Sequence, residues 1–376
     1  MKIRCTKERL VEGLNLVGRT VSTRTPLPIL ECILLTADDE GVRLMANDLE
    51  MSIETASMEA EVSEGGCVAL EAKLFSDIVR RMPGENISIE TKDNNETVCK
   101  SGKARFSVMG MPGEEFPVMP SMDRGEGYVV SAPELREMIR QTIFSVAVED
   151  SKPVLTGELI QHRENTLNIV AVDGFRISYR RMDLPELTVA ASSDRPVSVV
   201  VPAKALHELS RILPAESEDT VCFHFTDKRI VFDLPQFTFV SRLLEGEFIR
   251  YDQIFNEDFT TNVTMPRQAF LSGLERATLV ARENKKSPVR LEIMEQSVVI
   301  TSNTEMGTAY DEVQAEVDGN TLEKIAFNPK YLIEALRAIN EEYVIARFTT
   351  GLSPCIIRGA ESDAAKYLIL PLRVMG

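Results

Sequence analysis

The sequence has little with which to build a catalytic or metal centre. Its six cysteines (Cys5, Cys32, Cys67, Cys99, Cys222, Cys355) form no C-x-x-C pair, and most sit in apolar, strand-like stretches where a thiol behaves as a small hydrophobe. A zinc site is therefore not expected, and a reduced, cytoplasmic setting is the natural reading. The three histidines (His162, His207, His224) are isolated in the sequence, and none is expected to be catalytic. No apolar run approaches the roughly 20 residues of a membrane span. Met1-Lys2-Ile3-Arg4 leads into polar residues rather than the apolar core of a signal peptide. The phosphate-binding and hydrolase signatures G-x-G-x-x-G, G-x-x-x-x-G-K-[ST], H-E-x-x-H and G-x-S-x-G are all missing. An enzyme is disfavoured, and no cofactor or metal is implied.

What is present is an acidic, globular composition. The chain has 376 residues, 44% of them hydrophobic, and 58 Asp+Glu against 42 Lys+Arg give a net charge of −16. That length suits two or three domains with real cores. Such a chain repels nucleic acid unless its cations are gathered on one surface.

The sequence repeats itself three times. A Lys, an apolar residue at +2, an acid at +4, an apolar residue at +5 and an Arg at +7 recur as Lys73–Arg80, Lys204–Arg211 and Lys330–Arg337, at spacings of 131 and 126 residues. Strand-to-turn segments at Val42–Asp48, Leu167–Asp173 and Val298–Asn303 keep the same interval. Pro112-Gly113-Glu114-Glu115-Phe116-Pro117 resembles Glu245-Gly246-Glu247-Phe248-Ile249 near the ends of the first two copies. Each copy should open with a helix (Thr6–Val17, Ala132–Ala147, Pro266–Arg282), continue in antiparallel strands, and carry the Lys-to-Arg helix before its last strands. The expected fold class is α+β, in three repeated domains at 1–124, 125–254 and 255–376.

At 100° per residue, Lys and Arg seven apart share one helix face, and the +2, +5 and +9 positions share the opposite one. Each second helix should thus bury one side and display a basic stripe on the other. Lys7, Arg9, Arg19, Arg136, Arg140, Arg267, Arg276 and Arg282 on the first helices would add to it. The alternative is a solvated face in which each +4 acid pairs with its lysine.

With these repeats stand Leu27-Pro28-Ile29-Leu30, Val172-Asp173-Gly174-Phe175-Arg176, Phe327-Asn328-Pro329 and Leu370-Pro371-Leu372-Arg373. Together, and over essentially the whole chain, they resemble the bacterial DNA polymerase III beta subunits, the sliding clamps. The resemblance implies a head-to-tail homodimer, a closed ring of six clamp domains threaded by duplex DNA. Twelve helices side by side at roughly 9–10 Å would enclose a hole of about 25–30 Å, wider than duplex DNA. It implies DNA contact at Arg24, Lys73, Arg80, Arg105, Lys152, Lys204 and Arg211, whereas Glu149 departs from the family pattern. It implies that the DNA polymerase III alpha subunit, the clamp loader, and other polymerases and repair proteins dock short peptides with Gln early and Leu-Phe late. The matching pocket would comprise Leu155, Val172, Gly174, Phe175, Arg176, Ile177, Ile249, Gln253, Ile254, Asn328, Tyr331, Pro354, Leu368, Leu370, Pro371 and Leu372. Phe175, Ile249 and Gln253 replace frequent His, Pro and Arg, and Val374-Met375-Gly376 extend the usual end. The dimer seam would join Phe106 and Val108 of one chain to Leu279 and Val280 of the other. An acidic scaffold that binds proteins without encircling DNA is the competing reading.

Overall fold

The computed structural model describes the chain except residues 23–24, 118–126, 149–151, 164, 185–196, 256–257, 282–286 and 374–376. Arg24, Glu149, Arg282, Val374-Met375-Gly376 and the boundary near residue 124 therefore lie outside the described residues. By compactness the chain divides into two units. One is formed chiefly by Met1–Pro133 and Arg211–Leu243, the other by Glu134–Glu186, Ser193–Ser210 and Leu244–Gly376.

Six α-helices are described: α1 (Lys7–Val17), α2 (Ala72–Arg81), α3 (Ala132–Thr142), α4 (Ala203–Ile212), α5 (Arg267–Ala277) and α6 (Pro329–Ala338). The Lys-to-Arg segments are α2, α4 and α6. Their apolar positions are buried without exception: Phe75, Ile78 and Met82; Leu206, Leu209 and Leu213; Leu332, Ala335 and Ile339. Local chemistry starts two of them. The Glu71 carboxylate accepts the Lys73 and Leu74 N–H groups at α2, and Asn328 accepts the Lys330 N–H at α6, with Pro329 in the first turn.

Two expectations need correction. A strand, not a helix, opens each repeat: Lys2–Thr6, Tyr128–Ser131 and Thr261–Pro266 precede α1, α3 and α5. The first helices of the second and third repeats also end early, at Thr142 and Ala277, each followed by a short 3-10 turn. At both places a threonine hydroxyl turns back onto the helix, Thr142 to the Met138 carbonyl (2.8 Å) and Thr278 to that of Glu275 (2.7 Å).

The strands form four antiparallel sheets. In the first unit, one sheet orders Glu61–Glu64, Lys2–Thr6, Asn86–Thr91, Glu96–Ser101 and Ala104–Met109. The other runs from Met111–Pro112 through Gly66–Glu71, Cys32–Asp38, Gly41–Asn47 and Met51–Thr55. It then crosses into the second repeat through Phe237–Arg242, Arg229–Asp233, Thr220–Phe225 and Tyr128–Ser131. The crossing pairs Ile53 with Phe239.

The second unit repeats the device. Val197–Pro202, Gly157–Arg163, Thr166–Val172 and Arg176–Asp183 continue into Ala365–Ile369, Cys355–Gly359, Tyr343–Phe348, Thr261–Pro266 and Glu316–Gly319, with Ile177 facing Leu368 at the crossing. Its smaller sheet orders Gly307–Gln314, Ser297–Thr304, Val289–Ile293 and Leu322–Phe327. The third strand-to-turn segment is thus a longer strand than its Asn303 suggested, running on to Thr304.

All six cysteines are free thiols, and burial pushes those of Cys99 and Cys355 up to about 12, leaving them unreactive. No helix among the described residues is long and apolar enough to cross a membrane.

Candidate functional site

The residues expected to hold a partner peptide lie in the second unit. Leu155, Val172, Ile177 and Leu368 are buried in one apolar cluster, against which Ile249 packs half-buried. They form a floor. Phe175 (56% exposed), Ile254 (41%) and Leu370 (37%) remain open to solvent, and a backbone bond joins Leu370 to Phe175. Large apolar side chains left exposed are what an incoming Leu or Phe can cover.

The turn that presents Phe175 follows from its residues. Asp173 accepts the N–H groups of Phe175 (2.9 Å) and Arg176 (3.1 Å). Gly174 takes φ +86°, a conformation that side chains rarely adopt, and open space surrounds its missing Cβ. The Leu370 N–H then donates to the Phe175 carbonyl, and the Leu372 N–H to that of Ala326 at 2.7 Å, so the C-terminal segment is tied along the site. Pro371 and Leu372 are half-buried, as is Pro354, which precedes the strand pairing Cys355 with Ile369. Gln253 is exposed at the end of the turn Tyr251–Gln253, and Asn328 is occupied in starting α6.

Arg176 has a different place from a rim residue. It is 5% exposed, and its guanidinium bonds Asp173 (2.9 Å), Glu334 (2.5 Å) and the Phe144 carbonyl. It also lies over the rings of Tyr331 (4.5 Å) and Phe144 (5.2 Å). Phe175 stacks on the other ring of this set, Tyr331, at 6.4 Å. Burial pushes the Tyr331 phenol up from its ordinary range. Arg176 is thus committed to joining the second repeat's turn to α6. Glu334 and Phe144, which complete its shell, were not expected there; Glu334 was legible only as the +4 acid of the third Lys-to-Arg helix, a partner for Lys330.

The cations separate into two groups. Lys73, Arg80, Arg105, Lys152, Lys204 and Arg211 are all exposed. Lys73 has no ion-pair partner among the described residues, and Arg80 reaches Asn15 of α1 (2.7 Å). Arg105 stands on a strand, not a helix. In the third repeat the stripe is largely neutralised: Lys330 faces Glu334 (3.8 Å), Arg337 bonds Glu275 of α5 (2.7 Å), and Arg276 bonds Asp311 (2.5 Å).

Several first-helix cations serve the fold instead. Lys7 donates to the Met82 carbonyl, Arg136 to that of Ser210 and Arg267 to that of Leu336, each at the C-terminal end of the second helix of its own repeat. Those carbonyls lack helical partners and carry the negative end of the helix dipole. Arg140 does the same for Arg337 and Ala338 in α6.

The residues expected at a seam lie on or beside two sheet edges that are unpaired among the described residues. Phe106 (44% exposed) and Val108 lie on Ala104–Met109, the last strand of its sheet. Leu279 (59% exposed) and Val280 lie in the 3-10 turn after α5, where the Val280 carbonyl accepts from Thr304 (2.8 Å), beside the edge strand Gly307–Gln314.

Comparison with known proteins covers the whole chain. Family models match in order: the N-terminal domain of the DNA polymerase III beta subunit at residues 1–120, its central domain at 129–249 and its C-terminal domain at 252–373. The beta sliding clamp of Bacillus subtilis is 32% identical over 99% of this chain and 100% of its own length, and that of Staphylococcus aureus 31% over 99% of each. Among solved structures, the putative DNA polymerase III beta subunit of Eubacterium rectale superposes with a TM-score of 0.94 at 38% identity, and the DNA polymerase sliding clamp of Bacillus subtilis with 0.94 at 31%, each over the full length of both chains.

Proposed function

This chain belongs to the DNA polymerase III beta subunit family, the sliding clamps, and on that premise we propose that two copies close head to tail around duplex DNA. It is a non-catalytic processivity factor that keeps a replicative polymerase on its template.

One observation carries the ring. The strand that follows the turn in one repeat pairs with the last strand of the next: Met51–Thr55 with Phe237–Arg242, and Arg176–Asp183 with Ala365–Ile369. Among the described residues, the same step from the third repeat leaves Gly307–Gln314 without a successor, and the corresponding strand of the first repeat, Ala104–Met109, without a predecessor. A second copy supplies both, and the contact is heterologous and closes after two chains. Phe106 and Val108 then meet Leu279 and Val280 at the seam. The chain's domains are drawn at 1–124, 125–254 and 255–376, a division supported by three family matches in the same order, at 1–120, 129–249 and 252–373.

Within the ring, Lys73, Arg80, Lys204 and Arg211, joined by Arg24, Arg105 and Lys152, face the duplex. Exposed cations meeting phosphates hold DNA without reading bases, which lets the protein slide. The chain's excess of acid belongs on the outside. The polymerase alpha subunit, the loader and other polymerases and repair proteins dock their short peptides on the Phe175–Leu370 surface.

The test is processive synthesis with the polymerase and loader. Changing Lys73, Arg80, Lys204 and Arg211 together to Glu should abolish it while the dimer mass stays unchanged. Retention of processivity by this variant would overturn the DNA-facing assignment.

A further inference from the structure

The small sheet of the second unit has an outward face that is separate from the peptide surface and bounded on one side by the edge strand Gly307–Gln314 proposed for the seam. Its register lines up Tyr310, Thr301, Arg290 and Ala326 across four strands, with Arg290 alternating against the buried Val289 and Leu291. The Ala326 carbonyl is the one that accepts the Leu372 N–H, so the C-terminal segment lies along this end of the face. The result is a cleft between sheet and tail whose lining includes Arg290, Lys324, Arg373, Tyr310 and Leu352.

Three features set it apart. Arg290, Lys324 and Arg373 converge there, and none of them makes an ion pair with any described residue, whereas Arg176, Arg276 and Arg337 of the same unit are all paired. Tyr310 and Leu352 line it at 69% and 79% exposure. Lys324 stands where the pairing of Leu322–Phe327 with Val289–Ile293 slips register, at φ +30°. A bulge of this kind re-aims a side chain at the cost of backbone strain, which the surrounding fold must offset. The acids of this face, Glu292 and Glu312, flank Val299 in the next row, where Glu312 accepts the Tyr310 hydroxyl at 3.3 Å.

We infer that this cleft docks an acidic, extended segment of a partner protein, the flank of a peptide whose motif sits on the Phe175–Leu370 surface. The inference rests on that peptide reading, because Leu372 and Arg373 continue directly from Leu370. Carboxylates meet Arg290, Lys324 and Arg373, and an apolar side chain between them covers Tyr310 and Leu352. In a chain of net charge −16, a local run of unpaired cations selects an acidic flank against the general repulsion.

The experiment measures, by fluorescence anisotropy with the full chain, a Gln…Leu-Phe peptide carrying four acidic residues on its Gln side, on its Leu-Phe side, or four Ser-Gly residues instead. One acidic flank should tighten binding about fivefold, the size of two or three exposed charge pairs, and added salt should erase the gain. Arg290→Glu with Lys324→Glu should remove the gain and leave the neutral peptide's affinity unchanged; Arg290→Gln with Lys324→Gln serves if the first variant misfolds. If the neutral peptide binds but neither acidic flank helps, or the gain survives in the variant, the cleft assignment fails alone. If no peptide binds, the peptide surface fails with it.

Discussion

The guanidinium of Arg176 lies 4.5 Å from the centre of the Tyr331 ring, with Glu334 bonded to one of its nitrogens. One buried cation thus ties a turn of the second repeat to α6 of the third. Arg176→Ala leaves Asp173 without its counter-charge and Glu334 with only the more distant Lys330 (3.8 Å), and should cost about 3 kcal/mol. The midpoint of urea unfolding should drop accordingly, and Arg176→Lys should restore only part, since an ammonium cannot bond three partners in one plane. An unchanged midpoint in Arg176→Ala would show that the cluster contributes nothing.

The C-terminal segment is held along the proposed peptide surface by two backbone bonds. Deleting Leu372–Gly376 should leave thermal unfolding nearly unchanged but weaken a labelled partner peptide severalfold. Equal affinity in the truncated chain would remove the tail from the site.

At the proposed seam, Leu279→Lys with Val280→Lys places two ammonium groups where apolar side chains would be covered, and desolvating them is expensive. Light scattering should report a monomer whose circular dichroism matches the parent. A mass unaltered from the parent dimer would sink the assignment of these residues.

Glu158 is fully buried at the start of the strand Gly157–Arg163, and burial pushes its carboxyl up to about 8, the nearby Thr142 hydroxyl offsetting only part. In the unfolded chain it ionises near its ordinary 4.5. The unfolded state therefore releases this proton first as pH rises, so stability should fall between about 4.5 and 8 and level off above. Glu158→Gln should flatten that decline and be more stable than the parent at pH 8.5, by roughly a few kcal/mol. Parallel urea midpoints across this range for both proteins would refute the burial cost.

Much of this was legible in the residues. The Lys-to-Arg spacing marks α2, α4 and α6 because one period both buries +2, +5 and +9 and exposes the ends. The strands that open each repeat were not, since Lys2–Thr6 is only five residues and its alternation is cut short by the helix it leads into. Ile143 and Phe144 continue the apolar pattern of α3, and only the Thr142 hydroxyl, a cue too common to stand alone, ends the helix there. Nor does any local pattern reveal that Lys7, Arg136 and Arg267 are occupied with carbonyls some 70 residues away. The apolar floor residues were identified by resemblance; the grip on Arg176 needed coordinates, because Asp173, Phe144 and Glu334 converge from three separate elements.

The sheets that run unbroken across repeat boundaries have a mechanical consequence. At each crossing, parting the repeats means pulling apart five registered residue pairs along a strand buried in the middle of its sheet. Among the described residues no such ladder extends outward from Ala104–Met109 or Gly307–Gln314. In the proposed ring of two such chains, these crossings are the straps and the two seams are identical catches, at which any opening force concentrates. Loosening one catch would admit DNA while every crossing keeps its pairing.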